Sequence, residues 1–521
     1  MQDQNQPLLP EQAQTNFPLH SSPDQDPEIN IRNQDVPKAS VQSNNWLSAA
    51  PSFAQPPHTI KEAFKTLIPN ALPLIFVNFI LFSIKNVSLH LIKQKHDERL
   101  TTAVGVANTM LSVIGMALYM SFNTGLTSCS AHAFGAKNYQ LVGFYLHRAF
   151  VINILSMIPG LIVLYRADQI AILLGFDEQT AAYTQQITFY CIIGVVALMV
   201  FNTLTAYLNA CDIFVPSAIA LTISAVVFWV LSFVLFNYYD MDILGVAISF
   251  NAMQILAAII TLGYILVRNP VPGSFFWFKR QSFQEIWSLF KYEFFVGSMV
   301  FLEWIAAEII YLFAGQLTLT EVSALTIVYT NYMAWYCLPF SMDDLVLTFV
   351  GNAMGEGDIL KAKNFIKAGT MSGVFFSVLA IVFYIFFSRE AAAFYSDNED
   401  VIEQSIKIFK VNILYYPADF LQLILSGAIR AIGKEKLGAI MFIVVFYILG
   451  LPLAYLLCFK TDLRVLGLAW GPIVCSILLF IWLVGAFYTV DWNKQVKLIQ
   501  KKLEKDDKAL MEGKEALLSG Q

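Results

Sequence analysis

Charge is what this sequence has least of. Only 14% of its 521 residues are Asp, Glu, Lys or Arg, where a soluble chain carries about 25%. With 57% apolar residues and a mean hydropathy of +0.59, a water-exposed globule is excluded, and the composition is that of a polytopic membrane protein. The six cysteines form no CxxC pair and fall mostly inside apolar runs, so neither a zinc site nor a disulfide framework is expected. The start, MQDQNQPLLPEQ, lacks a basic n-region and an apolar h-region, so no signal peptide is read and the first span is expected to act as its own signal. No Walker motif is present, and no nucleophilic Ser or Cys has a base at helical spacing. An enzyme, a metal site and a nucleic-acid partner are therefore not expected.

What is present is a succession of apolar segments. Residues 1–60, rich in Gln, Asn, Pro and Ser, read as a disordered amino-terminal tail. Twelve spans follow, at 67–91, 101–127, 141–165, 182–209, 213–236, 243–267, 288–317, 321–347, 364–387, 403–429, 436–459 and 465–489, each near the 20 or so helical residues a bilayer requires. With the amino terminus inside, the inner segments hold 19 Lys and Arg and the outer loops 7, so both termini are predicted cytoplasmic. The tail 491–521 is charged and helix-favouring, and reads as a solvated cytoplasmic helix, with weak contact with anionic lipid heads as the alternative.

The chain repeats itself. AFGAKN at 133–138 matches AMGEGD at 353–358, LTAYLNACDIFVPSAI at 204–219 falls on LSGAIRAIGKEKLGAI at 425–440, and ILGVAIS at 243–249 falls on VLGLAWG at 465–471. The offset stays between 220 and 222. Six spans per half make the repeat parallel. The expected fold is an all-α membrane protein with two six-helix lobes, 61–270 and 271–490, and a cavity between them, as in alternating-access transporters.

Ionisable side chains inside spans mark function by default, since burying one in a bilayer costs several kcal/mol without a cavity or partner. The first half offers none. The second offers Glu303, Glu308, Asp343, Asp344 and Asp419, which makes it the expected ion-coupling lobe and biases the substrate toward cations. A carboxylate at such depth holds a proton or a cation but not readily both, and that competition suffices for antiport. Glu303 and Glu308 lie roughly 140° apart around one helix, so one is expected at a cavity and the other at a neighbouring helix. Asp419 follows Pro417, which leaves a backbone carbonyl without its donor. Asp343 and Asp344 differ by about 100° and cannot both face one cavity. For each acid the competing reading is structural: a helix–helix hydrogen bond for Glu303, a partner group for Glu308, and a cap on a broken helix for the Asp343–Asp344 pair. Trp304 beside Glu303 suits an organic cation by cation–π contact, with packing as its alternative. Tyr329 and Asn331 are further candidate cavity residues. His132 and His147 are expected to satisfy backbone groups near span ends.

Several segments resemble the multidrug and toxic compound extrusion (MATE) family. Leu302-Glu303-Trp304 with Glu308 is similar to its LEWWxxE motif, and HAFGAKNYQLVGFYLHR to QxFGAxxxxxVGxxxQR. SGAIRAIGKEKLGAI is similar to SGVxRGxGxQxxGA, and GNAMGEGD to VxNxLGAGN. The chain departs from these patterns at Ile305, His132 and Glu435. The resemblance covers roughly residues 65–490. It implies a monomeric, bilayer-embedded antiporter in the plasma membrane or an endomembrane, with no cofactor beyond a proton gradient. Its exported substrate would be a small organic cation or metabolite. Glu303, Glu308 and Asp419 would fall on the family's acids. A sodium-coupled exporter, a flippase for lipid-linked substrates and a non-transporting receptor stay open as alternatives.

Overall fold

The structure, a computed structural model, describes residues 59–93, 98–239 and 241–518; the tail expected to be disordered lies outside them, save for its last two residues. All regular elements among the described residues are helical. The spans of the fold are α1 (Ile60–Lys93), α2 (Thr102–Gly135), α3 (Tyr139–Tyr165), α4 (Ile192–Ala210), α5 (Val215–Asn237) and α6 (Ile243–Arg268) in the first half, then α7 (Ile286–Ala314), α8 (Leu319–Glu356), α9 (Ile359–Ala393), α10, α11 (Glu435–Phe459) and α12 (Val465–Thr489) in the second. Among the described residues, ten of these are by themselves long and apolar enough to cross a bilayer and the two parts of α10 together make an eleventh; α8, which carries Glu321, Asp343, Asp344 and Glu356, completes the twelve. The helix α10 is broken. Its parts, Glu399–Asn412 and Tyr415–Ala431, meet at 53°. Two shorter helices, Ala167–Leu173 and Glu178–Tyr190, lie between α3 and α4, and a further helix, α13 (Trp492–Leu518), lies beyond the last span.

The internal repeat is visible in the turns. After α2 the chain turns through Lys137 (φ 61°) and restarts at Asn138, whose side chain accepts the Leu141 N–H. After α8 it turns through Gly357 (φ 83°) and restarts at Asp358, which accepts the Lys361 N–H. The pairs stand 220 residues apart. The same holds for Asp212 (φ 62°) and Gly433 (φ 77°), 221 apart, after α4 and α10. At Lys137–Asn138 and Gly357–Asp358 a left-handed residue followed by an oxygen-bearing N-cap stops one helix and starts the next.

The halves meet through reciprocal contacts on the face that carries α13, here called the tail face. A Cβ on Gly135 would collide with the Asn352 carbonyl, and one on Gly355 with the His132 carbonyl; each pair is the other shifted by 220 residues. His132 Nε2 bonds the Ala431 carbonyl at 2.7 Å, while Asn352 Nδ2 donates to Asp212 at 2.6 Å. Such mutual contacts are those of a pseudo-two-fold interface, and the glycines let the backbones approach closely. Ser128 and Tyr292 add a 2.8 Å hydroxyl pair across the seam. Asn78, 18 residues into α1, reaches Ser341 at 3.0 Å. Further contacts between the halves join residues at the tail-face ends of the spans, among them His147 with Phe276 and Ser282, and Tyr207 with Ser274. The halves are therefore sealed on that face.

The tail helix corrects the expectation of a solvated helix. Its Val496, Ile499, Leu503 and Leu510 are buried, at a spacing that puts them on one stripe. Tyr145 donates to Asp506 at 2.7 Å and Asn138 to Asp507 at 3.0 Å, both from the first half. Lys502 Nζ sits 3.4 Å from the Tyr292 ring and Lys363 Nζ 5.0 Å from the Trp492 ring, both in the second half. The helix thus spans the seam.

Candidate functional site

A cavity that gathers several of the candidate residues lies inside the second half, between α7, α8, α10, α11 and α12. Its volume is about 130 Å³. Glu303 and Trp304 line it together with Tyr311, Tyr329, Tyr332, Tyr336 and Tyr415. No Lys or Arg does. A carboxylate ringed by electron-rich faces suits a cationic group. The volume is below the roughly 300–1,000 Å³ of drug-sized pockets, so it encloses a head group rather than a whole large molecule.

Behind Glu303 runs a polar network in a buried setting. Gln422 Nε2 donates to Glu303 Oε1 at 2.9 Å and to Asp419 Oδ1 at 3.4 Å. Ser476 donates to Asp419 Oδ1 at 2.9 Å and Tyr332 to its Oδ2 at 2.5 Å. Asp419 and Gln422 are both buried, and one turn of helix separates them, which aims both at α7. The break in α10 explains how a carboxylate is tolerated here. Irregular backbone at membrane depth is tolerated where it lines a cavity, and Asp419 follows the break by one turn, where Ser476 and Tyr332 donate to it. Asn412 and Tyr415, on either side of the break, line the cavity. On the other side, Tyr447, in a π-helical stretch of α11 (Ile443–Gly450), donates to the Leu302 carbonyl at 2.9 Å and fixes the turn that carries Glu303.

The remaining acids are placed differently. Asp343 does not reach the cavity; both its oxygens lie 2.5 Å from the Arg430 Nη2, with the pair almost wholly buried. Asp343 and Arg430 instead line a small space of about 10 Å³ that Glu303 also borders, so the acid is held as an ion pair next to the site. Arg430, counted above with the inner-loop charges, is in fact this buried partner. Asp344, next along α8, is half-buried and takes no part in that pair. Glu308 is half-buried and does not line the cavity, although Tyr311 and Tyr329, which do, feel its charge. Of the candidate cavity residues, Trp304 and Tyr329 line it. Asn331 does not; its amide donates to the Ile327 carbonyl of its own helix at 3.0 Å.

The sequence reading missed Gln422, Ser476, Tyr332 and Tyr415. Gln422 alone had a signal, a neutral polar residue one turn from Asp419. His147 and His132 do bond backbone carbonyls, but across long separations rather than locally: His147 holds Phe276 at 2.9 Å and Ser282 at 2.9 Å, in the connection between the halves. The first half has a neutral counterpart to the acid network. Asn153 donates to Asn123 and to Thr203, each at 2.9 Å.

The MatE family model matches this chain twice, over residues 73–234 and 296–456. The chain belongs to the MATE family. The two matches fall on the two halves, in line with the duplication. Among curated relatives, the human "Multidrug and toxin extrusion protein 1" is 22% identical over 444 residues, covering 84% of this chain and 77% of the relative. The mouse "Multidrug and toxin extrusion protein 2" is 25% identical over 446 residues, covering 85% and 77%. Among solved structures, the eukaryotic MATE transporter AtDTX14 superposes with a TM-score of 0.79 at 22% identity, covering 85% of this chain and 99% of that one. A MATE transporter described as outward-facing superposes with a TM-score of 0.73 at 14% identity. This MATE protein is an integral, multi-pass membrane transporter of twelve helices in two lobes.

Proposed function

We propose that this protein exports organic cations in exchange for protons by alternating access, with Glu303 as the group for which the two compete. The observation that carries the reading is the Glu303–Gln422–Asp419 network behind an aromatic cavity free of basic side chains. The amide of Gln422 donates to both acids. A proton arriving at Glu303 competes with a cation resting against its carboxylate and the Trp304 and tyrosine faces. Neutralising Glu303 removes the attraction that holds the cation, and release follows; loss of the proton on the opposite side restores it. The net exchange is one cation moved for each proton bound at this carboxylate, with no chemistry done on the substrate.

The excess of Lys and Arg on the tail face supports a cytoplasmic location for both termini. With that orientation, the seal between the halves closes the cytoplasmic side, and the state described is the outward-open one. The relatives named for multidrug and toxin extrusion support the export direction. The absence of basic side chains from the cavity lining is poorly matched to a lipid pyrophosphate.

The test is uptake of tetraethylammonium into proteoliposomes driven by an imposed pH gradient without sodium. Wild type is expected to accumulate the cation and Glu303→Gln to lose gradient-driven uptake while remaining folded. Normal uptake by Glu303→Gln would sink the mechanism, and flux that follows sodium instead of pH would change the coupling ion.

A further inference from the structure

A second cavity, remote from the cation site, opens beneath α13. It holds about 1,090 Å³ between that helix and the tail-face ends of α7 and α11. Five lysines line it: Lys291 on α7, Lys436 on α11, and Lys501, Lys502 and Lys505 on α13. Three carboxylates do so as well, Glu285, Glu435 and Asp506. Asp506 is engaged by the Tyr145 hydroxyl, and the lysines keep an excess of two charges. None of Lys291, Lys436, Lys501 and Lys505 belongs to an ion pair among the described residues.

Two membrane helices also begin at this wall, α7 at Ile286 and α11 at Glu435, and both first residues line the cavity. Helix starts present N–H groups without helical acceptors and the positive end of the dipole. Trp287 and Phe283, 65% and 58% exposed, flank the opening; exposed aromatics at a span's first turn sit at headgroup level. Lysines on three helices, spread around a space this large, are not satisfied together by a single small anion. They call for several phosphates on one rigid frame.

We propose that this cavity binds a multiply phosphorylated inositol, the chemistry shared by a phosphoinositide headgroup and a soluble inositol polyphosphate, and that the bound anion fastens α13 to the second half of the transporter. The site is independent of the transport reading, because its lysines touch neither Glu303 nor the aromatic cavity.

The experiment uses the full-length protein in phosphatidylcholine nanodiscs. Binding of short-chain phosphatidylinositol 4,5-bisphosphate and of inositol hexakisphosphate is titrated calorimetrically, with short-chain phosphatidylserine as the comparison. Saturable binding of either inositol probe is expected, and which one binds identifies the lipid or the soluble source. Lys291→Gln/Lys501→Gln/Lys505→Gln is expected to weaken it about 100-fold, from the worth of a lysine near an anionic headgroup. Thermal unfolding without ligand verifies that this variant is folded. Lys436→Gln, on a different helix, is the second variant, with about a five-fold loss expected. Binding unchanged in both variants, equal binding of phosphatidylserine, or no binding of either inositol probe would each overturn the proposal.

Discussion

Glu303 and Asp419, 116 residues apart in the chain, share one donor: the Gln422 amide reaches the first at 2.9 Å and the second at 3.4 Å. Replacing Gln422 by Ala leaves two acceptors facing each other without that group. A buried polar partner lost in this way costs about 1–3 kcal/mol. Gln422→Ala is expected to fold, to bind tetraethylammonium, and to lose at least about ten-fold of its proton-driven uptake, since about 1.4 kcal/mol is a factor of ten. Uptake at wild-type rate in proteoliposomes would show that the bridge has no part in coupling.

The Asp343–Arg430 pair is expected to behave as structure. Removing one member strands a buried charge and costs about 3–5 kcal/mol, while removing both costs far less. Asp343→Asn should therefore lower the thermal unfolding midpoint in detergent more than Asp343→Asn/Arg430→Gln does, and the double variant should keep pH-driven flux. A double variant that is stable but uncoupled would place Asp343 among the proton sites.

Asp212 makes the closed seam sensitive to pH. It lies in the turn between α4 and α5, outside the spans, and burial there pushes its carboxyl up to about 7 from 3.8, with Glu356 pushing the same way and Lys361 and the Asn352 hydrogen bond opposing. In an opened, hydrated seam it returns to the ordinary range. The closed state then binds the extra proton, so closure is favoured at low pH and loses that advantage as pH rises through about 4 to 7. Asp212→Asn should flatten this dependence. The measurement is the accessibility of a tail-face cysteine label between pH 5 and 8; an unchanged slope in Asp212→Asn would assign the dependence to another group.

Gly355 is a steric requirement of the seam, because an added Cβ would meet the His132 backbone. Gly355→Val should hold the halves apart there and expose Cys129, which is buried under Lys502. Faster maleimide labelling of Cys129 and loss of cation uptake are expected. Protection of Cys129 equal to wild type would show that the seam relaxes around the side chain.

The carboxylates show how far the sequence reaches. Glu303 and Asp419 stood out because charge inside an apolar run is rare and costly. The same rule selected Asp343, whose neutralising partner lies 87 residues away in the chain. A composition rule finds that a charge is buried and cannot tell which partner it meets. Gln422, Ser476 and the tyrosines carry no charge and so no such signal, though they surround the acids.

The amino-acid sequence by itself determined the twelve spans, the duplication and the acid-rich second half, because apolar length, repeat spacing and charge are local properties of the chain. The tertiary structure alone decided that Gln422 joins two acids, that Arg430 pairs with Asp343, that an aromatic cavity forms around Glu303, and that α13 spans the seam. Those outcomes depend on which helix faces come together, and helix packing across hundreds of residues is fixed by shape and by paired polar groups that no single segment encodes.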